Sequence, residues 1–197
     1  MTGLVRLHAR GAPVTDLSPD WCPLWPGQEV DECTILEIAV VLTDGQLNNV
    51  IHGPEVVIHH SDEVLAGMND WCRQHHEKSG LTDRVRQSTV SMEEAESQML
   101  RFVRKHTQPG CCHLAGNTVH CDLGFIKRYM PRLAAHLHYR IVDVSSVREL
   151  ARRWFPDLMK KAPRKEMRHT ARSDILESLN ELIWLRKTVF KASNSKG

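Results

Sequence analysis

The run ILEIAVVLT at residues 35–43 constrains this chain most. It is apolar and rich in β-branched residues, so it reads as a buried strand. Asp44-Gly45 is a hairpin signal, and a second strand follows near Asn49–His52. PEVVIH (54–59) reads as a third strand, and Ser61 is a candidate N-cap for the helical stretch SDEVLAGMNDWCRQHH. Ser91 and Glu94 form a capping box at the head of SMEEAESQMLRFVRKH, whose last turn holds Arg104, Lys105 and His106. CHLAG (112–116) is a short strand that passes through a Gly-Asn turn into a helix over 120–130, stopped by Pro131. YRIVDVS (139–145) is a further strand, followed by a helix that ends at Arg153-Trp154, before Pro156. KKAPRKEMR (160–168) is a basic loop. The last helix, from His169 to Val189, sets Ile175, Leu179, Leu182, Ile183 and Leu185 at helical spacing. A hairpin followed by alternating helices and strands predicts an α/β fold with a mixed sheet.

Composition narrows the partners. The 26 Lys and Arg nearly balance 24 Asp and Glu over 197 residues, so the net charge of +2 excludes a polycation that coats nucleic acid by bulk charge. A local basic groove stays open. No apolar run reaches the roughly 20 residues of a membrane helix. The six cysteines are irregularly spaced and contain no CxxC, which favours reduced thiols in an intracellular compartment over a disulfide framework or a zinc site. Residues 1–15 lack the apolar core of a secretory signal, although Arg6 and Arg10 with no acid before Asp16 weakly resemble an organelle transit peptide. Pro13, Pro19, Pro23 and Pro26 give residues 5–31 the texture of a loop.

Two clusters carry chemistry. In Gly116-Asn117-Thr118-Val119-His120-Cys121-Asp122 a strand ends, the chain turns, and an acid is presented at the carboxyl edge of the sheet, where open α/β sheets bind ligands. From the residues alone, Asp122 reads more readily as a helix-start acid favoured by the dipole. The second cluster is His169-Thr-Ala-Arg-Ser-Asp174. Residues five apart on a helix stand about 140° apart, but a His169 in the preceding loop could swing toward Asp174 as a general base. Spacing alone favours a solvated helix start with Thr170 as cap.

The run AGNTVHCDLGFIKRYMPRLAAHLHYRIVDVSSVRELARRW resembles the oligoribonucleases, DEDDh-type 3′→5′ exonucleases that degrade very short RNA. The resemblance extends through HTARSDILESLNEL and back through DWCRQHHEKSGLTDRV and ILEIAVVLTDGQLN, covering about residues 32–190. It implies an RNase H-like exonuclease fold, a mixed sheet flanked by helices, acting as a homodimer. It also implies two Mg²⁺ or Mn²⁺ ions held by four carboxylates, with Asp122 as the third, Asp174 as the fourth and His169 as the general base. Among substrate contacts it implies Leu4, Asn117 and His120, with Trp71 stacking on a base. Tyr139 and Arg140 would reach the partner subunit's site and close on the substrate's 5′ phosphate. The partners implied are short RNA oligonucleotides, and the compartment is the mitochondrion, the cytoplasm or both.

The family opens on a strand carrying Asp-x-Glu followed by Met-Thr-Gly-Leu, whereas this sequence starts at Met1-Thr2-Gly3-Leu4. The expectation is an exonuclease domain over 32–190 with its first strand missing or replaced, by the short VRLH (5–8) if at all. Ahead of it lies an atypical segment, 1–31, and after it a disordered tail, 191–197. Asp122 and Asp174 supply −2 against the +4 of two divalent ions, so weak metal binding and little nuclease activity are expected. The alternative is a catalytically impaired isoform or a truncated gene model, acting, if at all, as a dimerisation partner.

Overall fold

The computed structural model describes residues 4–7, 34–68, 70–163 and 171–190, with residues 4–7 and Trp71 as backbone. Its described strands form one five-stranded sheet. They are β1 (Leu4–Leu7), β2 (Glu37–Thr43), β3 (Val50–Val57), β4 (Cys112–Gly116) and β5 (Leu137–Asp143), in the order β3-β2-β1-β4-β5. β1 runs antiparallel to β2 and parallel to β4, and β4 is parallel to β5. The mixed sheet is as expected. The reading of residues 5–31 as loop needs correcting at its start, because Leu4–Leu7 fills the central position, with Leu4 opposite Thr43 and Leu7 opposite Val40. The rest of that segment, the tail 191–197 and the loop residues 164–168 lie outside the described residues.

β2 is buried at every position because both faces of the sheet are covered. Its side chains alternate between the two layers. Ile38, Val40 and Leu42 join Leu114 of β4 in the main core. Helices α4 (Met92–His106), α5 (Val119–Tyr129) and α6 (Pro131–His136) complete that core with Met99, Val103, Phe125, Ile126 and Leu133. Ala39 and Val41 face Ala171 and Ile175 of α9 (Ala171–Thr188) on the other side. A third cluster joins Leu36 to α1 (Asp62–Ala66), α2 (Asp70–Lys78) and α3 (Leu81–Gln87) through Leu65, Met68, Cys72, Leu81 and Val85. α7 (Val144–Trp154) and α8 (Pro156–Met159) pack on α9 through Val147, Ala151, Met159 and Leu185.

Local chemistry explains most boundaries. Ser91 Oγ accepts from the Glu94 amide at 3.2 Å, so the α4 cap forms as read. Asp44 organises the β2–β3 turn by accepting from the Gln46, Asn48 and Asn49 amides at 3.0–3.1 Å. The two strands expected around Pro54 are one strand, because β3 is an edge strand and an edge tolerates a residue without an N–H. Ser61 does stand at the α1 N-cap, but the single helix expected after it divides, with Gly67 capping α1. α5 ends at Tyr129 with a non-helical Met130 just ahead of Pro131, as expected, and Pro131 also opens α6, where its fixed φ suits a helix start.

Candidate active-site edge

The candidate residues gather where β4 ends. Gly116 is paired with Asp143, the last residue of the parallel neighbour β5. The chain then turns through Asn117 and Thr118 into α5. Thr118 adopts φ 53°, ψ 33°, the left-handed region, which is unfavourable for a β-branched residue. Its amide donates to Asp143 Oδ1 at 3.1 Å and to Ser145 Oγ at 2.9 Å. Asp143 Oδ1 also accepts from the Ser145 amide at 2.9 Å and so caps α7.

Asp122 lies in the first turn of α5 and is 3% exposed. Asp174 lies in the first turn of α9 and is half-buried. α5 covers one face of the sheet and α9 the other, and a polar seam ties them at the edge. Asn117 Nδ2 donates to Ser178 Oγ at 2.5 Å, and Ser178 Oγ donates to the Asp174 carbonyl at 3.0 Å. Asn117 Nδ2 is also 3.5 Å from Glu181 Oε2, and Arg148 of α7 pairs with Glu181 at 3.2 Å. The head of α9 is held from below, where buried Glu37 accepts the Ala171 amide at 3.1 Å and pairs with Arg84 of α3 at 2.7 Å.

His120 is half exposed, with Nδ1 3.7 Å from Asp143 Oδ2. Asn117, His120 and Asp122 therefore share one turn and one helix start, and Asn117 reaches the helix of Asp174. Tyr139 and Arg140 do not join them. They stand on the outer strand β5, four and three residues, or about 13 and 10 Å of strand, before Asp143. Tyr139 is 77% exposed there. His113 and His138 stack at 4.0 Å, His138 stacks on Tyr139 at 4.5 Å, and the Arg140 guanidinium lies 5.2 Å from the Tyr139 ring centre. The Arg140 amide donates to His138 Nδ1 at 3.0 Å. Burial, followed by the charges of His138 and Arg140, pushes the His113 imidazole below its usual range. Trp71 is in α2 and Leu4 begins β1, both described by backbone alone. His169 lies outside the described residues.

A pair of divalent ions needs a cage of oxygen ligands. Among the described residues no group of three or more His, Cys, Asp and Glu could hold an ion. The central strand, Leu4-Val5-Arg6-Leu7, has no acid to add. The described donor set does not fit a two-ion centre.

Reading the sequence missed Asp143, Ser145, Ser178, Glu181 and Glu37. Asp143 had a findable signal, since an Asp two residues before a Ser at a strand-to-helix junction is a capping pattern. Glu37 and Glu181 had none, because only tertiary packing gives each its partners.

A family model described as Exonuclease matches residues 26–182. Over 165 residues the chain is 56% identical to a "Probable oligoribonuclease" of Dictyostelium discoideum, covering 84% of this chain and 86% of that protein. It is 48% identical to the human "Oligoribonuclease, mitochondrial", covering 84% and 70%. It is 46% identical to an "Oligoribonuclease" of Marinobacter nauticus, covering 84% and 91%. The RNase domain of the yeast Pop2 protein superposes with a TM-score of 0.64 at 14% identity, over 94% of this chain and 76% of that one. The fold is α/β and RNase H-like.

Proposed function

Because the chain belongs to the oligoribonuclease family of exonucleases, we propose that it descends from enzymes cutting RNA of two to a few nucleotides from the 3′ end, releasing 5′-mononucleotides. The supporting observation is the seam in which Asn117 bonds Ser178 one turn beyond Asp174, joining the α5 head with Asp122 to the α9 head. Asp122 and Asp174 stand where the family resemblance places ligands of Mg²⁺ or Mn²⁺, two of the four carboxylates it implies, and the described residues do not complete that cage. Such ions activate water and stabilise a leaving oxygen when bound. His169 is the proposed general base. Asn117 and His120 would orient the terminal nucleotide, with Leu4 and Trp71 against its bases. Stacking of that kind is worth roughly 1–3 kcal/mol per base and tolerates any sequence. The names of the mammalian relatives favour the mitochondrion.

The test is hydrolysis of a labelled diribonucleotide with Mg²⁺ or Mn²⁺, against an Asp174→Ala control. Turnover above the control supports an active enzyme. Turnover equal to it removes activity from this chain.

The acid-free central strand favours a second reading, in which this chain is an impaired subunit. It would act through a dimer, its Tyr139 and Arg140 completing an intact partner's site. Exposed Trp154 and Phe155 offer apolar surface for such a contact. Mixing with a family member that carries all four carboxylates, followed by native mass and activity measurement, tests this. Absence of a mixed dimer discards it.

A further inference from the structure

We propose that Asp143 is a positioning residue that holds the β4–α5 turn in the conformation that receives the nucleotide. This rests on the reading of that edge as an oligoribonucleotide site.

Three observations converge on it. Thr118, between Asn117 and His120, is kept at φ 53° despite its branched Cβ. Its amide has two acceptors, Asp143 Oδ1 at 3.1 Å and Ser145 Oγ at 2.9 Å. The Asp143 side chain is 17% exposed and sits at the end of β5, in register with Gly116, and its second oxygen faces His120 Nδ1 at 3.7 Å. A β-branched residue persists in this region only where its surroundings over-determine it. Here Asp143 and Ser145 supply that determination from outside the turn. Ser145 Oγ also donates to Asn117 Oδ1 at 3.4 Å, so the same pair orients the amide that reaches α9.

The consequence is a population argument. Without Asp143, Thr118 relaxes to negative φ, and Asn117 and His120 turn away together. Binding must then restore the strained turn, and apparent affinity falls by the fraction of molecules that retain it. A glycine at 118 adopts positive φ without the Cβ penalty and returns much of that fraction.

The experiment measures calorimetric binding of a non-hydrolysable, 5′-phosphorylated diribonucleotide, with thermal unfolding followed in parallel. Asp143→Ala should weaken binding about tenfold or more, and adding Thr118→Gly should recover most of the loss. Asp143→Asn, which keeps an acceptor for the Thr118 amide, should stay within about threefold of the parent, a difference well under 1 kcal/mol. Ser145→Ala, which removes only one acceptor, serves if Asp143→Ala does not fold, and it should give a smaller loss that Thr118→Gly also recovers. Unchanged binding in Asp143→Ala overturns the proposal. So does a loss that Thr118→Gly leaves untouched, or an Asp143→Asn as weak as Asp143→Ala, which would shift the role to charge on His120. A parent that ignores the dinucleotide defeats the functional reading instead. Hydrogen exchange at the Thr118 amide then decides: lost protection in Asp143→Ala supports the positioning role, and retained protection overturns it.

Discussion

His136 is a histidine in the core, 4% exposed, with Nε2 3.0 Å from Thr107 Oγ1. The Thr107 hydroxyl already donates to the Val103 carbonyl at 2.9 Å, so the imidazole Nε2–H is the donor between them. Burial first, then the nearby Arg104, holds the His136 pKa below its usual range. A group whose folded value is depressed binds more protons when unfolded. Its stabilising effect is therefore complete above the unfolded value of about 6.5 and fades as pH falls through the window beneath it. The urea midpoint should drop between pH 7.5 and pH 5.5, and His136→Gln should flatten that drop. A midpoint equally steep in the variant would assign the effect elsewhere, with His113, shifted the same way, next to be replaced.

Two elements are placed by single residues. β3 approaches α4 through Gly53, where an added Cβ would lie 2.5 Å from both Phe102 Cε1 and Val40 Cγ1. Gly53→Ala should cost about 1–3 kcal/mol by overpacking, read from chemical denaturation, and Phe102→Leu should recover part of it. α6 is held by buried Glu96, whose carboxylate accepts the Arg132 and Leu133 amides at 2.6 and 3.1 Å and the Arg132 Nε at 2.6 Å. Glu96→Ala leaves those amides unmet and should cost about 2 kcal/mol, with Glu96→Gln costing less; equal losses would deny the capping role. The elements legible in the sequence were those with their own signals, such as the Ser91 cap, the Asp44 turn and the apolar run of β2. Those set by neighbours were not. The Pro54 strand could not be recognised before its edge position was known, and β1 was legible only as the short replacement VRLH (5–8), one residue out of place and overshadowed by the proline-rich stretch after it. At the site, Asp122 gained meaning from family resemblance, while Asp143 and Glu37 gained theirs only from packing.

For the whole molecule, charge and surface set the expectations. The acid-free central strand and the lack of a three-donor group among the described residues predict weak ion binding. Calorimetry with Mn²⁺ should find no pair of tightly held ions per protomer, and two such ions would restore the full enzymatic reading. Trp154, 64% exposed on the outer side of α7, is a candidate dimer contact. Native mass should give a dimer that Trp154→Asp shifts toward monomer, and an unshifted dimer would move the contact elsewhere.

Leu7 and Val40 face each other across β1 and β2. The two ends of the intervening chain therefore lie side by side on the sheet. The separation of those two ends does not depend on how much chain lies between them, and each doubling of such a detour costs only about 0.6 kcal/mol. Evolution can lengthen or trim this excursion cheaply, and a reporter domain or affinity handle grafted there would leave the scaffold below it undisturbed.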